Sequence, residues 1–203
     1  MFLFVYRLGV KATSTSGKAR SDLSITLKKR SFTSALVVVV TALALFSRMS
    51  VAAGKPAHSY TVTTTTASKW MRGYLKAWET RDADAVEKLF TPGGVYESIP
   101  GVDSETFVGR KTIHKYWFAV TREQSNIHGA QGSPIVSGNR AAIEIWVTFR
   151  DPEYNAEGDH MVTLLETNVV TFVRGGLASK NAEYWNILHG VHSPPAGWGK
   201  AAG

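Results

Sequence analysis

One carboxylate lies within an apolar segment of the chain. Glu144 has apolar residues on both sides, namely Ile143, Ile145, Val147 and Phe149. If Glu144 points into the protein, burial raises its pKa because the charged form loses its hydration, and such a carboxyl can act as a general acid or base near neutral pH. In a strand, however, the apolar neighbours occupy the opposite face, which favours a solvent-facing or ion-paired Glu144. The sequence leaves both orientations open.

Aromatic and hydroxyl side chains form a second group of candidates. Tyr74, Trp78 and Trp117 are expected either to pack in the core or to line a pocket for a flat, apolar ligand. Tyr96 and Ser98 are two positions apart in a predicted strand, so their side chains share one face. Tyr96 is therefore either a hydrogen-bonding group of a site or a core residue with its hydroxyl at the rim.

The histidines are scattered along the chain. His128, near the start of a predicted strand, is a candidate base or pocket residue, although surface histidines are commoner. His189 and His192 point to opposite faces of a strand, a spacing that does not suit a shared metal ion. The chain has no cysteine and no phosphate-binding loop, dinucleotide fingerprint or Ser-His-Asp spacing. We predict neither a metal nor a cofactor.

Helices followed by long strands would position these side chains. Apolar periodicity predicts helices at about 67–80, 83–90 and 110–125. Strands are predicted at about 95–99, 127–136, 140–150, 160–174 and 177–191. This order predicts an α+β fold in which a curved antiparallel sheet wraps around the N-terminal helices.

Four segments of the predicted domain carry a family resemblance, namely residues 77–90, 94–97, 107–117 and 183–186. They resemble segments of the SnoaL-like and ketosteroid-isomerase-like proteins of the nuclear transport factor 2-like superfamily, and residues 194–199 add a further similarity. Residues 77–90 resemble the family's first helix–turn–helix, 94–97 its first strand, and 107–117 the loop into its third helix. Glu183-Tyr184-Trp185-Asn186 resembles the final strand, and residues 194–199 resemble the end of uncharacterised members. The resemblance implies a cone-shaped fold over nearly all of 67–199.

The resemblance also implies a site for a small hydrophobic molecule, no cofactor, and a homodimer. Members include isomerases, cyclases, dehydratases, epoxide hydrolases and non-catalytic binding modules, so the fold alone does not fix the function. The enzymes move a proton next to a carbonyl, hydroxyl or epoxide. Asn186 stands where relatives often carry Asp, and it can donate a hydrogen bond but cannot exchange a proton. Asn186 therefore either positions a ligand or is structural.

Two functions are open at this point. The first is a cofactor-independent enzyme with Glu144 or a histidine as base and with Tyr96 and Asn186 as hydrogen-bonding partners. The second is a non-catalytic ligand-binding or dimerisation module. In either case the pocket is expected to include the same side chains, namely Tyr74, Trp78, Ser98, Trp117 and His128.

Charge divides the chain into a basic N-terminal part and a nearly neutral remainder. Residues 1–57 hold nine Lys or Arg and one acidic residue, whereas residues 58–203 hold 14 basic and 15 acidic residues. The larger part has no evident basic cluster, so no nucleic-acid partner is predicted. We expect a basic extension (1–33), a hydrophobic signal or anchor segment (34–53), a linker (54–66) and a SnoaL-like domain (67–199).

The N-terminal segment leaves the location of the protein open. A basic stretch, an apolar run shorter than a membrane span and small residues at 50–53 are typical of a secretory signal. We expect an exported or membrane-anchored protein, with membrane contact only through this segment. If translation starts at Met49, the protein is cytoplasmic, and the Ser/Thr-rich, acid-poor composition also resembles an organelle transit peptide.

Overall fold

The computed structural model describes residues 60–200, all of which belong to one compact unit. The predicted basic extension, the signal or anchor segment and residues 54–59 of the predicted linker lie outside the described residues. The prediction of export rests on these segments. Between residues 60 and 200 no helix is long and apolar enough to cross a membrane.

Three α-helices precede most of the sheet: α1 (Thr64–Glu79), α2 (Ala83–Lys88) and α3 (Arg110–Val120). The Thr63 side chain caps α1 by accepting a hydrogen bond from Thr66 N at 3.1 Å. The helix thus begins inside the predicted linker. Val62 is also buried, and its N–H donates to Gly138 O at 2.8 Å. The end of the predicted linker is therefore part of the fold.

Helix α3 ends at Val120, about five residues before the predicted end. The hydroxyl of Thr121 donates to Trp117 O at 2.7 Å, and the next residues turn away, so that Ser125 begins a strand. Thr and Ser hydroxyls compete for backbone partners in this way and weaken the continuation of a helix.

Seven strands form one curved, open sheet in the order β2-β1-β7-β6-β5-β3, with β4 also paired to β5. A 3₁₀ turn at Asp103–Glu105 precedes β2. The strands are β1 (Phe90–Glu97), β2 (Thr106–Val108), β3 (Ser125–Gln131), β4 (Ile135–Ser137), β5 (Arg140–Arg150), β6 (Met161–Phe172) and β7 (Ala178–His189). The predicted α+β fold with a curved sheet is confirmed.

The sheet is mixed, whereas an antiparallel sheet was predicted. Strands β1 and β7 run parallel, with Tyr96 opposite Asn181, while every other pair is antiparallel. Antiparallel neighbours can be joined by tight turns, but the chain between β1 and β7 contains α3 and five other paired strands. A connection of that length leaves the two strands free to pair in parallel.

The two faces of the sheet differ in what they meet. The inner face carries the buried alternate residues of β5, namely Ala141, Ile143, Ile145, Val147 and Phe149. Cross-strand register extends this face through Leu164, Glu166 and Asn168 of β6 to Asn181, Glu183 and Trp185 of β7. Helices α1 and α3 cover the inner face, and the opposite face is called the outer face below.

Aromatic rings fill the space between the helices and the inner face. The ring centroids of Tyr74 and Trp117 are 5.0 Å apart, and those of Trp78 and Trp117 are 5.5 Å apart, both at edge-to-face angles. Trp78 also lies 5.6 Å from Phe149 of β5. Such pairs add stabilisation beyond the buried area and hold the helices in a fixed position over the sheet.

Candidate active site

Glu183 lies at the centre of a buried group of polar side chains on the inner face, and only 5% of it is exposed. The Tyr74 hydroxyl donates to its Oε1, the Tyr96 hydroxyl donates to its Oε2 at 2.6 Å, and Asn181 Nδ2 donates to Oε1 at 3.1 Å. Three donors therefore converge on one carboxyl group.

A second buried carboxyl belongs to the same group. Asn168 Nδ2 donates to Glu166 Oε1 at 2.5 Å, and Asn181 Nδ2 donates to Asn168 Oδ1 at 2.8 Å. The amides of Asn168 and Asn181 thus connect the two glutamates. The six side chains are called the polar cluster below: Tyr74, Tyr96, Glu166, Asn168, Asn181 and Glu183.

Strand alternation and helix packing bring these residues together. Asn181 and Glu183 are two positions apart in β7, as Glu166 and Asn168 are in β6, so all four side chains point to the inner face. Tyr96 enters from β1, which pairs directly with β7. A buried carboxyl is costly unless it is hydrogen-bonded, and the donors of the cluster offset that cost.

Burial and hydrogen bonding set the protonation of the two carboxyls. Burial raises the pKa of Glu183 to about 7, although the hydrogen bonds from Tyr74, Tyr96 and Asn181 act in the opposite direction. Burial, together with the neighbouring charge of Glu183, raises the pKa of Glu166 well above its ordinary value. Both carboxyls therefore hold a proton more tightly than an exposed glutamate does, and the donors around Glu183 oppose this effect.

The tyrosines of the cluster are neutral donors. Burial and the charge of Glu183 raise the pKa values of Tyr74 and Tyr96 well above the ordinary value for a phenol. The same two causes raise the pKa of Tyr116 in α3. Their hydroxyls therefore keep their protons and can donate to a carboxylate or to an oxygen that gains negative charge.

Two fully enclosed polar atoms beside these rings have no hydrogen-bond partner among residues 60–200, namely Trp117 Nε1 and Asn181 Oδ1. Trp117 lies 6.0 Å from the Tyr96 ring, and Asn181 bonds to Glu183. Trp78 differs, because its Nε1 donates to Gln124 Oε1 at 2.8 Å. An unused donor and an unused acceptor thus lie beside Glu183 and its tyrosines.

Three of the predicted site residues face away from the polar cluster. Glu144 and Asn186 lie on the outer face and are exposed. His128 is also exposed on the outer face, where it pairs with Thr148 of β5. The possibility that Glu144 points inward is therefore wrong, because its apolar neighbours take the inner face. Asn186 follows the inward-facing Trp185 and so points to the opposite side.

The other predicted residues do lie on the inner side. Tyr96 and Tyr74 bind Glu183 directly, and Trp78 and Trp117 pack around Tyr74. Ser98 is buried just after β1, where its hydroxyl donates to Glu105 Oε2 at 2.6 Å. Its carbonyl oxygen accepts a hydrogen bond from Trp185 Nε1 at 2.8 Å, so Ser98 joins β1 to β7.

The sequence reasoning missed both carboxyls of the cluster. Glu183 belongs to the segment that carries the family resemblance, but Asn186 was the residue of that segment predicted to be in the site. In β6 both faces mix apolar and polar residues, so alternation did not identify the side on which Glu166 lies. The available signal was the spacing of Glu166 and Asn168 between Leu164 and Val170, four inward positions of one strand.

Other features of the described surface lie away from the cluster. A recess of about 370 Å³ at the start of α3 is lined by Pro92, Val108, Gly109, Arg110, Lys111 and Thr112. It contains none of the predicted site residues. Residues 60–200 hold no group of three or more His, Asp or Glu side chains arranged to bind a metal ion.

Comparison with known proteins identifies the family. The chain matches the family model described as SnoaL-like domain over residues 71–180. It is similar in structure to the epoxide hydrolase/cyclase-like enzyme SalBIII, studied for pyran ring formation in the polyether salinomycin. That match has a TM-score of 0.51 and 16% identity, and it covers 61% of this chain and 95% of that chain.

A second solved structure is a hypothetical protein with a ketosteroid isomerase-like fold from Catenulispora acidiphila DSM 44928, in complex with trimethylamine. It has a TM-score of 0.48 and 18% identity, and it covers 57% of this chain and 84% of that chain. No curated protein matches the sequence. The family match spans more than half of the chain and includes Tyr74, Tyr96 and Glu166 of the polar cluster. The chain therefore belongs to the family of proteins with a SnoaL-like domain.

Proposed function

We propose that this domain binds a small, mostly apolar molecule beside Glu183 and catalyses a proton transfer on it without a cofactor. The observation that carries the proposal is the Glu183 carboxyl, buried on the inner face and held by the hydroxyls of Tyr74 and Tyr96. A structural carboxyl on a sheet surface would not need this burial or these donors.

The groups of the site that can accept or donate protons suit isomerase-, cyclase- or dehydratase-type chemistry. A carboxyl with a pKa of about 7 is divided between its charged and neutral forms near neutral pH. As a carboxylate, Glu183 would take a proton from the substrate, and the resulting acid would return it to another atom of the same molecule. Neutral tyrosine hydroxyls would stabilise the oxygen on which negative charge develops.

The surrounding side chains support an apolar substrate that carries a polar group. Rings of Tyr74, Trp78 and Trp117 meet beside the cluster. The unused Trp117 Nε1 and Asn181 Oδ1 offer one donor and one acceptor to such a group. Ligand sites commonly combine a largely apolar lining with a few placed polar atoms.

The test uses the full chain and small cyclic ketones and epoxides. The choice of epoxides follows from the name of SalBIII, an epoxide hydrolase/cyclase-like enzyme that shares the fold. Deuterium uptake from D₂O next to the ketone and opening of the epoxide would be followed by NMR. Glu183→Gln keeps the size of the side chain but removes the exchangeable proton, so turnover should fall by about 10²- to 10⁴-fold.

Glu144→Gln provides the matched control, because Glu144 is a strand glutamate on the exposed outer face. We expect this variant to retain the wild-type rate. Equal loss in both variants, or full activity in Glu183→Gln, would contradict the role given to Glu183.

A non-catalytic ligand-binding module is the second candidate function. The unused donor of Trp117 favours it, because this donor can hold a ligand without any chemistry. The neutral dye Nile red serves as the probe, with fluorescence as the readout. Dye binding that weakens in Trp117→Phe, in a protein that turns over none of the ketones or epoxides, would favour this candidate over the enzyme.

A further inference from the structure

Glu166 is a second buried carboxyl, for which the proposed function gives no role. It lies opposite Trp185 in the pairing of β6 with β7, and Glu183 is two residues from Trp185 on the same face. Diagonal neighbours of this kind have Cα atoms about 7–8 Å apart, which two glutamate side chains can span. The two carboxyl groups therefore form a pair that is only 4% and 5% exposed.

The donors around this pair are distributed unequally. Glu183 accepts hydrogen bonds from two tyrosine hydroxyls and from Asn181, whereas Glu166 accepts one, from Asn168. Each donor favours the ionised form of the carboxyl that it contacts. The contacts therefore favour a negative charge on Glu183 and a proton on Glu166.

Opposite charges do not balance the pair. The ion pairs among residues 60–200 involve other carboxyls, namely Asp84, Glu97 and Glu123. The titratable groups that face Glu183 are Tyr74 from α1, Tyr96 from β1, Tyr116 from α3 and Glu166 from β6. None of these is a cation, so two negative charges at this depth would repel each other without compensation.

We propose that Glu166 is a positioning residue that keeps one proton at neutral pH, so that Glu183 alone carries the negative charge of the pair. Its consequence for catalysis rests on the proposed function: each turnover would begin with Glu183 as the base. Because Glu166 is neutral, it would not repel the negative charge on Glu183. No proton leaves Glu166 during the reaction.

The directions of the pKa shifts agree with a proton on Glu166 and a negative charge on Glu183. Burial raises both pKa values, but the three donors to Glu183 oppose its rise, while the charge of Glu183 raises the pKa of Glu166 further. The amides of Asn168 and Asn181 carry no ionisable group and join the two carboxyls in a fixed arrangement.

Infrared spectroscopy of the full chain tests the proposal without any substrate. A protonated carboxylic acid has a C=O band that is separate from the carboxylate bands. At about pH 8, above the reference pKa of any exposed carboxyl, the wild-type protein should show one such band. Glu166→Gln should remove it, whereas Glu183→Gln should keep it, because burial is the largest cause of the raised pKa of Glu166.

The reverse pattern, with the band lost in Glu183→Gln and kept in Glu166→Gln, would overturn the proposal. Absence of the band from the wild-type protein would also overturn it. Circular dichroism checks that both variants fold. If Glu166→Gln does not fold, Tyr96→Phe gives an independent test, because it removes a donor from Glu183 only. The band should keep its wild-type wavenumber at about pH 8, whereas a shifted band would place the proton on Glu183 and overturn the proposal.

The test separates this proposal from the proposed function. A wild-type protein with the band but without turnover would support the proton on Glu166 and contradict catalysis. A protein with Glu183-dependent turnover but without the band would retain the enzyme function and exclude the role of Glu166.

Discussion

At the scale of single residues, the proton on Glu183 links stability to pH. Its pKa in the folded protein, about 7, is higher than the value of 4.5 for an ordinary glutamate. Between these two values the folded state keeps a proton that the unfolded state has lost. The free energy of unfolding should therefore fall as pH rises from about 4.5 to about 7, and the contribution of Glu183 should level off above that.

The size of this effect can be measured by urea unfolding. Each proton held only by the folded state changes the free energy of unfolding by about 1.4 kcal/mol per pH unit. Glu183→Gln should make the decline shallower by about that amount, while the remaining slope comes from Glu166. An unchanged slope would show that Glu183 titrates alike in the folded and unfolded chain.

The site residues also show the limit of reasoning from one sequence. Tyr74 and Tyr96 were identified because aromatic and hydroxyl side chains at regular spacing stand out in the sequence. Glu183 was missed because its burial depends on which face of β7 meets the helices. That face is decided by pairing with the preceding strand β6 and with β1, which comes from a distant part of the chain. The local spacing of residues in β7 does not specify this pairing.

At the scale of elements, strand and helix types were predictable, whereas their directions and ends were less so. The alternation in β5 gave its limits, Arg140–Arg150, as predicted. The parallel pairing of β1 with β7 was not predicted, because local patterns do not encode the direction of a distant partner. This pairing places Tyr96 beside Glu183. Because the parallel direction was not predicted, the hydrogen bond between these two side chains was not predicted either.

The C-terminal segment crosses the outer face and is held by a close approach of two glycines. His192 N donates to Thr163 Oγ1 at 2.9 Å, Trp198 packs on Trp146, and Ser133 N donates to Gly199 O at 2.7 Å. Gly199 has a φ of +72°, and a Cβ there would lie 2.7 Å from the Cα of Gly132. At that distance the backbone of Gly132 would have to shift, whereas a flexible side chain could rotate away.

We therefore expect Gly199→Ala to detach the end of this segment. Hydrogen exchange should show loss of protection at the Ser133 amide, by at least tenfold. Gly197→Ala is the matched control, since Gly197 has a similar φ of +84° but open space around a Cβ. Both variants carry the cost of about 1–2 kcal/mol for a left-handed alanine, so only the clash at Gly199 distinguishes them. Equal protection in the two variants would exclude the contact with Gly132 as the anchor.

At the scale of the whole molecule, the outer face is divided between a covered and an open part. The C-terminal segment occupies the side near Trp146, while Tyr184 on β7 remains 57% exposed. The homodimer implied by the family resemblance would need about 800 Å² from each subunit. Tyr184 of β7 lies in the open part, so we expect an interface to form around it.

Light scattering of the full chain checks this prediction. We expect the wild-type mass to be that of a dimer and Tyr184→Glu to give a monomer, because a charge without a partner at the centre of an interface must lose its hydration. Phe118→Glu is the control, since Phe118 is 63% exposed on α3, which covers the inner face of the sheet. A monomeric wild type would contradict the dimer, and dissociation by Phe118→Glu alone would place the interface on the helices instead of the sheet.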